Sequence, residues 1–428
     1  MKSLNGRVAA VSIALFLFVS CRSGDTSTNA VSASPPQFVS ITPNGQIAVL
    51  RDEQQVGSLP AEYIPLDYPD MPWRGDPAIG MSSDGTIYVA LYAKIFVSKN
   101  GGREWESRQI DVGSLAPPAS ERANYDSFVV LRDGTLLWAY HSPEHETDFV
   151  VRSADGGRTW QPWSQIVDRS PFGAAGGNQN CMTELADGTI LWATRLGPRR
   201  SEIEERDVAE EPWQGPAHWT TYVYRSTDGG RSWKDKSLLQ EWGTETNLLE
   251  LASGRLLAAI RYQRYPHAPA PRNEPEDIAA ADPQSPETVG KRVFLADSSD
   301  AGSTWTDFRP VRREATKEMD IVLGEAHGHL VQLSDGTVVL AHERRYPYEV
   351  GDVRARVSCD QGRTWAPEAY RLSAGHGYAA SIVLPDDTIV TALGNTPLNE
   401  KGRSVDGKWY AQVVRWRLPR SGSIPGKH

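Results

Sequence analysis

Ionisable and aromatic side chains recur in this chain at one kind of place, the ends of short apolar segments. Arg74, Asp126, Asn178, Glu245, His327, His329 and Tyr378 open such segments, and Tyr92, Tyr140, His141, Arg195, Arg261, Arg344 and Arg345 close them. Acids, imidazoles, phenols and guanidinium groups gathered at one mouth of a folded ring can exchange protons and hold a polar ligand, so the set is a candidate site. Glu245 and Arg261 are separated by a single hairpin, which brings both to one rim. A plainer reading stands beside this one. Polar residues commonly end strands, Glu245 then being a turn carboxylate or a structural partner of Arg261, and Tyr378 a packed strand-end aromatic.

The elements that would gather these residues come from an internal repeat. The octapeptide Ser-x-Asp-x-Gly-x-Thr-Trp occurs as SKNGGREW from Ser98, SADGGRTW from Ser153, STDGGRSW from Ser226, SSDAGSTW from Ser298 and SCDQGRTW from Ser358. The first copy carries Asn100 for the Asp and Glu104 for the Thr. Each reads as a β-hairpin turn: the Asp accepts hydrogen bonds from its own turn, the glycines permit positive φ, and the Trp packs between neighbouring sheets. A second repeat, apolar strand, tight turn, apolar strand, runs in step with turns at Asp84-Gly85, Asp133-Gly134, Asp187-Gly188, Ser253-Gly254, Asp335-Gly336 and Asp386-Asp387.

Six inner hairpins and five octapeptide turns predict an all-β chain, a six-bladed β-propeller of four-stranded blades. Two strands separate the two tight turns of a blade, so both turns lie at one end. The start of the first strand and the end of the second then share the opposite face, where the residues above meet. The final blade lacks the octapeptide, and its later strand is expected over Trp409 to Leu418. The segment Gln37 to Leu50, with its Asn44-Gly45 turn, is expected to pair with the last blade and close the ring, which removes exposed edges. Long loops from Gly197 to His218 and from Tyr265 to Lys291 fall on the candidate face, either as solvated surface or as the wall of a ligand site.

The net charge of -9, with Lys and Arg dispersed, argues against a nucleic-acid partner. No zinc-like cluster or phosphate-binding glycine loop occurs, so neither a cofactor nor a catalytic metal is expected. Residues 1–21 carry Lys2 and Arg7, an apolar core from Val8 to Val19 and small residues before Cys21, the pattern of an export signal. The ending Phe18-Val19-Ser20-Cys21 resembles a bacterial lipobox, with Phe18 where Leu is usual. The resemblance implies an exported lipoprotein, periplasmic or at the cell surface, held to the membrane by a lipid anchor at Cys21. Residues 22–36, rich in Ser, Thr, Ala and Pro, are expected to form a disordered tether, and residues 37–428 the propeller. Cys181 and Cys359 remain, as one bridge or as two buried thiols. A monomer is expected.

With its repeats in view, the chain resembles the sialidases (neuraminidases), six-bladed propellers whose octapeptide turns are called Asp-boxes or BNR repeats. The repeats cover nearly all of the mature chain, but Asp-boxes also occur in receptors and other glycosidases, so they speak to fold more than to activity. The resemblance implies an exo-glycosidase removing terminal sialic acid or a related acidic sugar from a glycan substrate. It implies three arginines gripping the sugar carboxylate, a task suited to a planar, always charged fork. Arg74 in Pro72-Trp73-Arg74-Gly75-Asp76 matches the first, although the family's usual apolar neighbours are absent. Arg261 in Leu257-Ala258-Ala259-Ile260-Arg261 matches the second. Arg344 is favoured for the third over Arg345 and Arg354.

Because that carboxylate would repel an anionic nucleophile, the family attacks with a neutral tyrosine that a glutamate deprotonates. Tyr378 in Gly377-Tyr378-Ala379-Ala380-Ser381 and Glu245 in Thr244-Glu245-Thr246-Asn247 resemble these two. The family's acid/base aspartate lies on a loop after the first blade's second strand, yet here Tyr88 to Lys94 runs directly into Ile95-Phe96-Val97-Ser98. Asp126 is expected to replace it, with Asp76, His327 and His329 as alternatives. This departure keeps other readings open: a non-catalytic glycan-binding propeller lipoprotein, or a structural propeller that grips a protein.

Overall fold

A computed structural model of the chain describes residues 45–68, 76–111, 115, 125–142, 147–166, 174–176, 181–197, 219–264, 271–273, 275, 292–311, 325–344, 351–375, 377–395 and 410–419. Among the described residues there are strands and turns and no helix. The first two strands, β1 (Gln46–Arg51) and β2 (Gln54–Pro65), form a hairpin. Next, β3 (Ala78–Met81), β4 (Ile87–Leu91), β5 (Lys94–Ser98) and β6 (Glu106–Gln109) make a four-stranded antiparallel sheet. Another follows from β7 (Tyr125–Val130), β8 (Leu136–Ser142), β9 (Thr147–Ser153) and β10 (Gln161–Ile166). In a five-stranded sheet, β11 (Ala174–Gly176) and β12 (Met182–Glu184) both pair β13 (Ile190–Gly197), followed by β14 (Thr220–Ser226) and β15 (Lys234–Glu241). The fourth sheet contains β16 (Gly243–Glu250), β17 (Leu256–Tyr262), β18 (Arg292–Ser298) and β19 (Thr306–Pro310).

The remaining strands are β20 (Glu325–Gln332), β21 (Val338–Arg344), β22 (Asp352–Ser358), β23 (Ala369–Ala374), β24 (Gly377–Val383), β25 (Ile389–Asn395) and β26 (Tyr410–Trp416). With β1 and β2 they form one nine-stranded sheet, ordered β20-β21-β22-β23-β1-β2-β26-β25-β24. The expected six separate blades are thus corrected to four separate blade-like sheets and one larger sheet. The cause is the N-terminal hairpin: β1 pairs β23 and β2 pairs β26, so hydrogen bonding runs on where two sheets would have ended. The N-terminal segment does reach β26, but through β2, beyond the Leu50 limit expected, with Ala61 opposite Trp416. Neighbouring inner strands touch in the order β3, β7, β12, β16, β20, β24 and back to β3, which makes a propeller-like ring of sheets.

Strands in the middle of each sheet are covered on both faces and read as continuous apolar runs. IYVAL of β4 and LLAAIRY of β17 are buried at every position. The apolar layers lie between sheets, as where Leu137 and Ala139 of β8 share a cluster with Leu191 and Ala193 of β13 and with Ala258 and Ile260 of β17. Each octapeptide turn is wedged into such a layer. In the second copy Ser153 Oγ donates to Asp155 Oδ1 at 2.8 Å and accepts from Gly157 N at 2.8 Å, while Thr159 N and Oγ1 both donate to the Asp155 carboxylate. Ser226, Ser298 and Ser358 start turns with the same bonds, and Asn100 Oδ1 takes the carboxylate's place in the first copy.

Gly230 shows why glycine is required. Its φ is +80°, and an added Cβ would lie 2.7 Å from Leu137 of the preceding β7–β10 sheet. The tryptophan does reach between sheets: Trp233 Nε1 donates to Ser164 Oγ of that sheet at 3.0 Å. The Asp-Gly turns lie at the same end of the sheets, which leaves the opposite rim to the ionisable residues. Cys181 is buried and keeps its thiol, so it does not bridge Cys359, which corrects the alternative of a bridge between the two.

Candidate functional site

Three strands deliver one cluster to the rim. β16 and β17 pair in register from Glu250 opposite Leu256 to Thr246 opposite Ile260, then slip before Gly243 meets Tyr262. Glu245 sits in that irregularity, beside Arg261 near the end of β17. Arg261 Nη1 donates to Glu245 Oε1 at 2.6 Å. Tyr378, the second residue of β24, donates its phenolic proton to the same Glu245 oxygen at 2.8 Å, and Arg261 Nη1 also lies 3.2 Å from the phenolic oxygen. Arg261 Nη2 is held by Gln263 Oε1 at 3.1 Å. Tyr378 and Arg261 are buried, at 4% and 8% exposure. The phenol's hydrogen bond to Glu245 already runs along the path its proton would take. This arrangement can polarise a phenol and receive its proton.

Two histidines of β20 flank the cluster. The His327 ring lies flat on the Tyr378 ring, with centroids 4.4 Å apart and planes 12° apart. His329 Nδ1 accepts from Ser381 N of β24 at 3.2 Å. Burial, reinforced by His327, pushes His329 down to about 3, so it is neutral at ordinary pH.

Arg344 belongs to a different constellation. Its Nε and Nη2 donate to the two Asp352 oxygens at 3.2 and 3.3 Å, and its Nη1 donates to Glu53 Oε2 at 2.8 Å. Arg354, the other arginine weighed for the third place, grips the same two carboxylates: Asp352 at 2.7 and 2.9 Å, Glu53 at 2.8 and 2.6 Å. The pair of arginines and the pair of carboxylates thus close on each other. Arg344, expected as the third ligand-binding arginine, is thus already engaged by carboxylates, because β21 and β22 place it opposite Asp352 and the β1–β2 turn adds Glu53.

Arg74, Asn178 and Arg345 lie outside the described residues, as do Cys21 and most of both long loops. Asp126 is in β7, but its side chain is not among those described. Asp76 precedes β3 and is partly buried. Only Tyr92 and Ala93 join β4 to β5, with Tyr92 at φ +48°, so no acid-bearing loop intervenes there. Sequence reasoning missed Gln263 and Glu53. The first was legible, since a residue two positions from Arg261 on a strand shares its face; the second was not, since only tertiary folding brings the N-terminal hairpin to β21 and β22. Among the described residues no group of three or more His, Cys, Asp or Glu side chains is arranged to hold a metal ion.

No protein-family model and no curated protein matches the chain. Solved structures do. A protein of unknown function from Dyadobacter fermentans DSM 18053 superposes with a TM-score of 0.56 at 18% identity, over 86% of this chain and 100% of that one. An α-L-arabinofuranosidase from Fusarium graminearum gives 0.53 at 14% identity, over 87% and 98%. The Trypanosoma rangeli sialidase gives 0.52 at 13% identity; 83% of this chain is covered but only 57% of the sialidase. The likeness is one of fold. Structural neighbours of the chain thus include sialidases and an α-L-arabinofuranosidase.

Proposed function

We propose that the protein is a glycoside hydrolase of the sialidase type, acting on terminal sialic acid or a related acidic sugar. The observation that carries this reading is the single Glu245 oxygen shared by Tyr378 and Arg261. In the proposed reaction Tyr378 Oη attacks the anomeric carbon as its proton passes to Glu245 Oε1, and the glycosidic bond breaks. An acid at the same rim, proposed as Asp126, protonates the departing oxygen. Water then releases the sugar from the tyrosine, with the same acid acting as base. Arg261 and Arg74 are proposed to hold the sugar carboxylate, and Arg344 joins them by exchanging Glu53 for the ligand.

The finer fold reading also belongs here. Divided at the β1–β2 hairpin, the nine-stranded sheet yields two blades, β20 to β23 and β24 to β26 with β2, and the ring then counts six. The octapeptide turns are read as Asp-boxes. Export and a lipid anchor at Cys21 are proposed from the sequence alone.

The test is release of a fluorophore from an α-sialoside by the protein from Ser34 onward, beside Tyr378→Phe and Glu245→Gln. Release that both substitutions abolish supports the reading, and release that persists in Tyr378→Phe removes the tyrosine from the reaction. The direct β4 to β5 turn favours a second reading, a glycan-binding propeller without turnover. Saturable sialoside binding with no release would establish that one.

A further inference from the structure

His327 occupies a conformation that the sequence had no local reason to choose. Its φ is +54°, in the left-handed region that only a few per cent of non-glycine residues adopt. The pairing of β20 with β21 skips there: Ala326 is opposite Glu343 and His329 opposite Ala341, leaving His327 and Gly328 as a bulge. Gly328 is pressed so tightly that an added Cβ would lie 2.9 Å from Val293, 3.0 Å from Leu340 and 3.1 Å from Ala259. The bulge is therefore held by packing from β17, β18 and β21. His327 shares the β24 side of β20 with His329, whose Nδ1 accepts from Ser381 N, while Gly328 faces Ala259 and Val293. At the bulge its ring lies flat on Tyr378, 4.4 Å between centroids, with His327 only 3% exposed. Strained backbone of this kind persists where the surroundings enforce it, and it clusters at working sites.

We propose that His327 is a positioning residue for Tyr378, holding the phenol ring in the plane where its hydroxyl meets Glu245 and easing removal of the phenolic proton. The proposal rests on the reading that Tyr378 gives its proton to Glu245. Two physical effects combine. A ring packed flat on one face blocks the swing of the phenol about its Cα–Cβ bond, which would carry the hydroxyl off the 2.8 Å contact. A neutral imidazole also carries a dipole and a ring N–H that an apolar ring lacks, so it stabilises negative charge growing on the phenol better than an apolar ring would. The ionisable groups around the stack are Glu245 on β16, Arg261 on β17, His329 on β20, and Glu343 on β21, whose Oε1 accepts from Gly377 N at 3.1 Å.

The experiment uses the protein labelled with 3-fluorotyrosine and follows the fluorine signal of residue 378, assigned by its loss in Tyr378→Phe, as pH is raised. His327→Phe keeps a stacked ring without the imidazole. His327→Asn keeps a side chain at ease in the left-handed region but loses the ring. Ionisation of residue 378 at a pH higher by about one unit in His327→Phe, with a further broadened or split signal in His327→Asn, is the expected result. Ionisation within about 0.2 units of the parent protein in both variants, with the parent's line shape, would overturn the proposal. Because the signal is read without turnover, a protein that hydrolyses no sialoside still answers the question, and the two readings stand or fall separately.

Discussion

Two buried constellations of arginine and carboxylate lie on this molecule, and they are built on opposite plans. In one, Arg344 and Arg354 meet Asp352 and Glu53, with each arginine gripping both carboxylates. In the other, one arginine and one carboxylate are joined by a phenol, which takes the same Glu245 oxygen as Arg261. The first ties β21 and β22 to the β1–β2 hairpin, with the charge of Arg371 on β23 also felt by all four groups, so it acts as a fastener between these strands. The second contains a proton that can move. Buried charge by itself does not mark a reactive site; an added group whose proton has a nearby acceptor does.

The largest effect should separate the two plans outright. Tyr378→Phe removes one hydroxyl and leaves the Glu245–Arg261 pair intact, so sialoside turnover should fall by about a hundred- to ten-thousand-fold while urea unfolding shows a change within about 1 kcal/mol. The converse substitution, Arg354→Met, leaves Asp352 buried with half its partners gone. Unfolding should then become easier by about 3–5 kcal/mol, with turnover per folded molecule kept; a variant as stable as the parent would show that the set is not a fastener.

A smaller effect is expected at the exposed corner of that set. Glu53 has a side chain 35% exposed, and Glu53→Gln should cost only about 1 kcal/mol. The loss should be local, read as faster amide exchange in β1 and β2 with the β16–β19 sheet unchanged. Exchange that accelerates equally in both would sink the latch idea.

The smallest and broadest effect is on acid stability. Burial pushes His329 down to about 3 and His342, also of the large sheet, down to about 4. In the unfolded chain both would protonate near 6.5, so between that pH and about 4 the unfolded state binds more protons and stability falls as pH falls. His329→Gln should flatten part of this slope in thermal melts taken across that window. By contrast the turn residue Asp300, held down at about 2 by the Thr304 hydroxyl and amide and by Ser298, loses its contribution only as pH drops from about 4 towards 2.

Much of the architecture was legible in the chain. Turns such as Ser153 to Trp160 and Asp133-Gly134 fix their own hydrogen bonds within a few residues, so their composition reveals them. Spacing then placed Glu245 and Arg261 across one hairpin. The bulge at His327 was not legible, because it depends on how tightly Val293, Leu340 and Ala259 crowd Gly328. Nor was the fate of Arg344, a strand-end arginine like Arg261 in every local respect.

The sequence by itself determined the all-β character, the repeated turns and the rim on which the ionisable residues gather, since these follow from local hydrogen bonding and the period of the strands. Tertiary structure alone decided that β1 and β2 weld the last strands into one sheet, that Glu53 closes on Arg344 and Arg354, and that Tyr378 meets Glu245 across 133 residues of chain. Such pairings join segments whose closeness no local interaction encodes; they form only when the ring closes and buried charges must find partners.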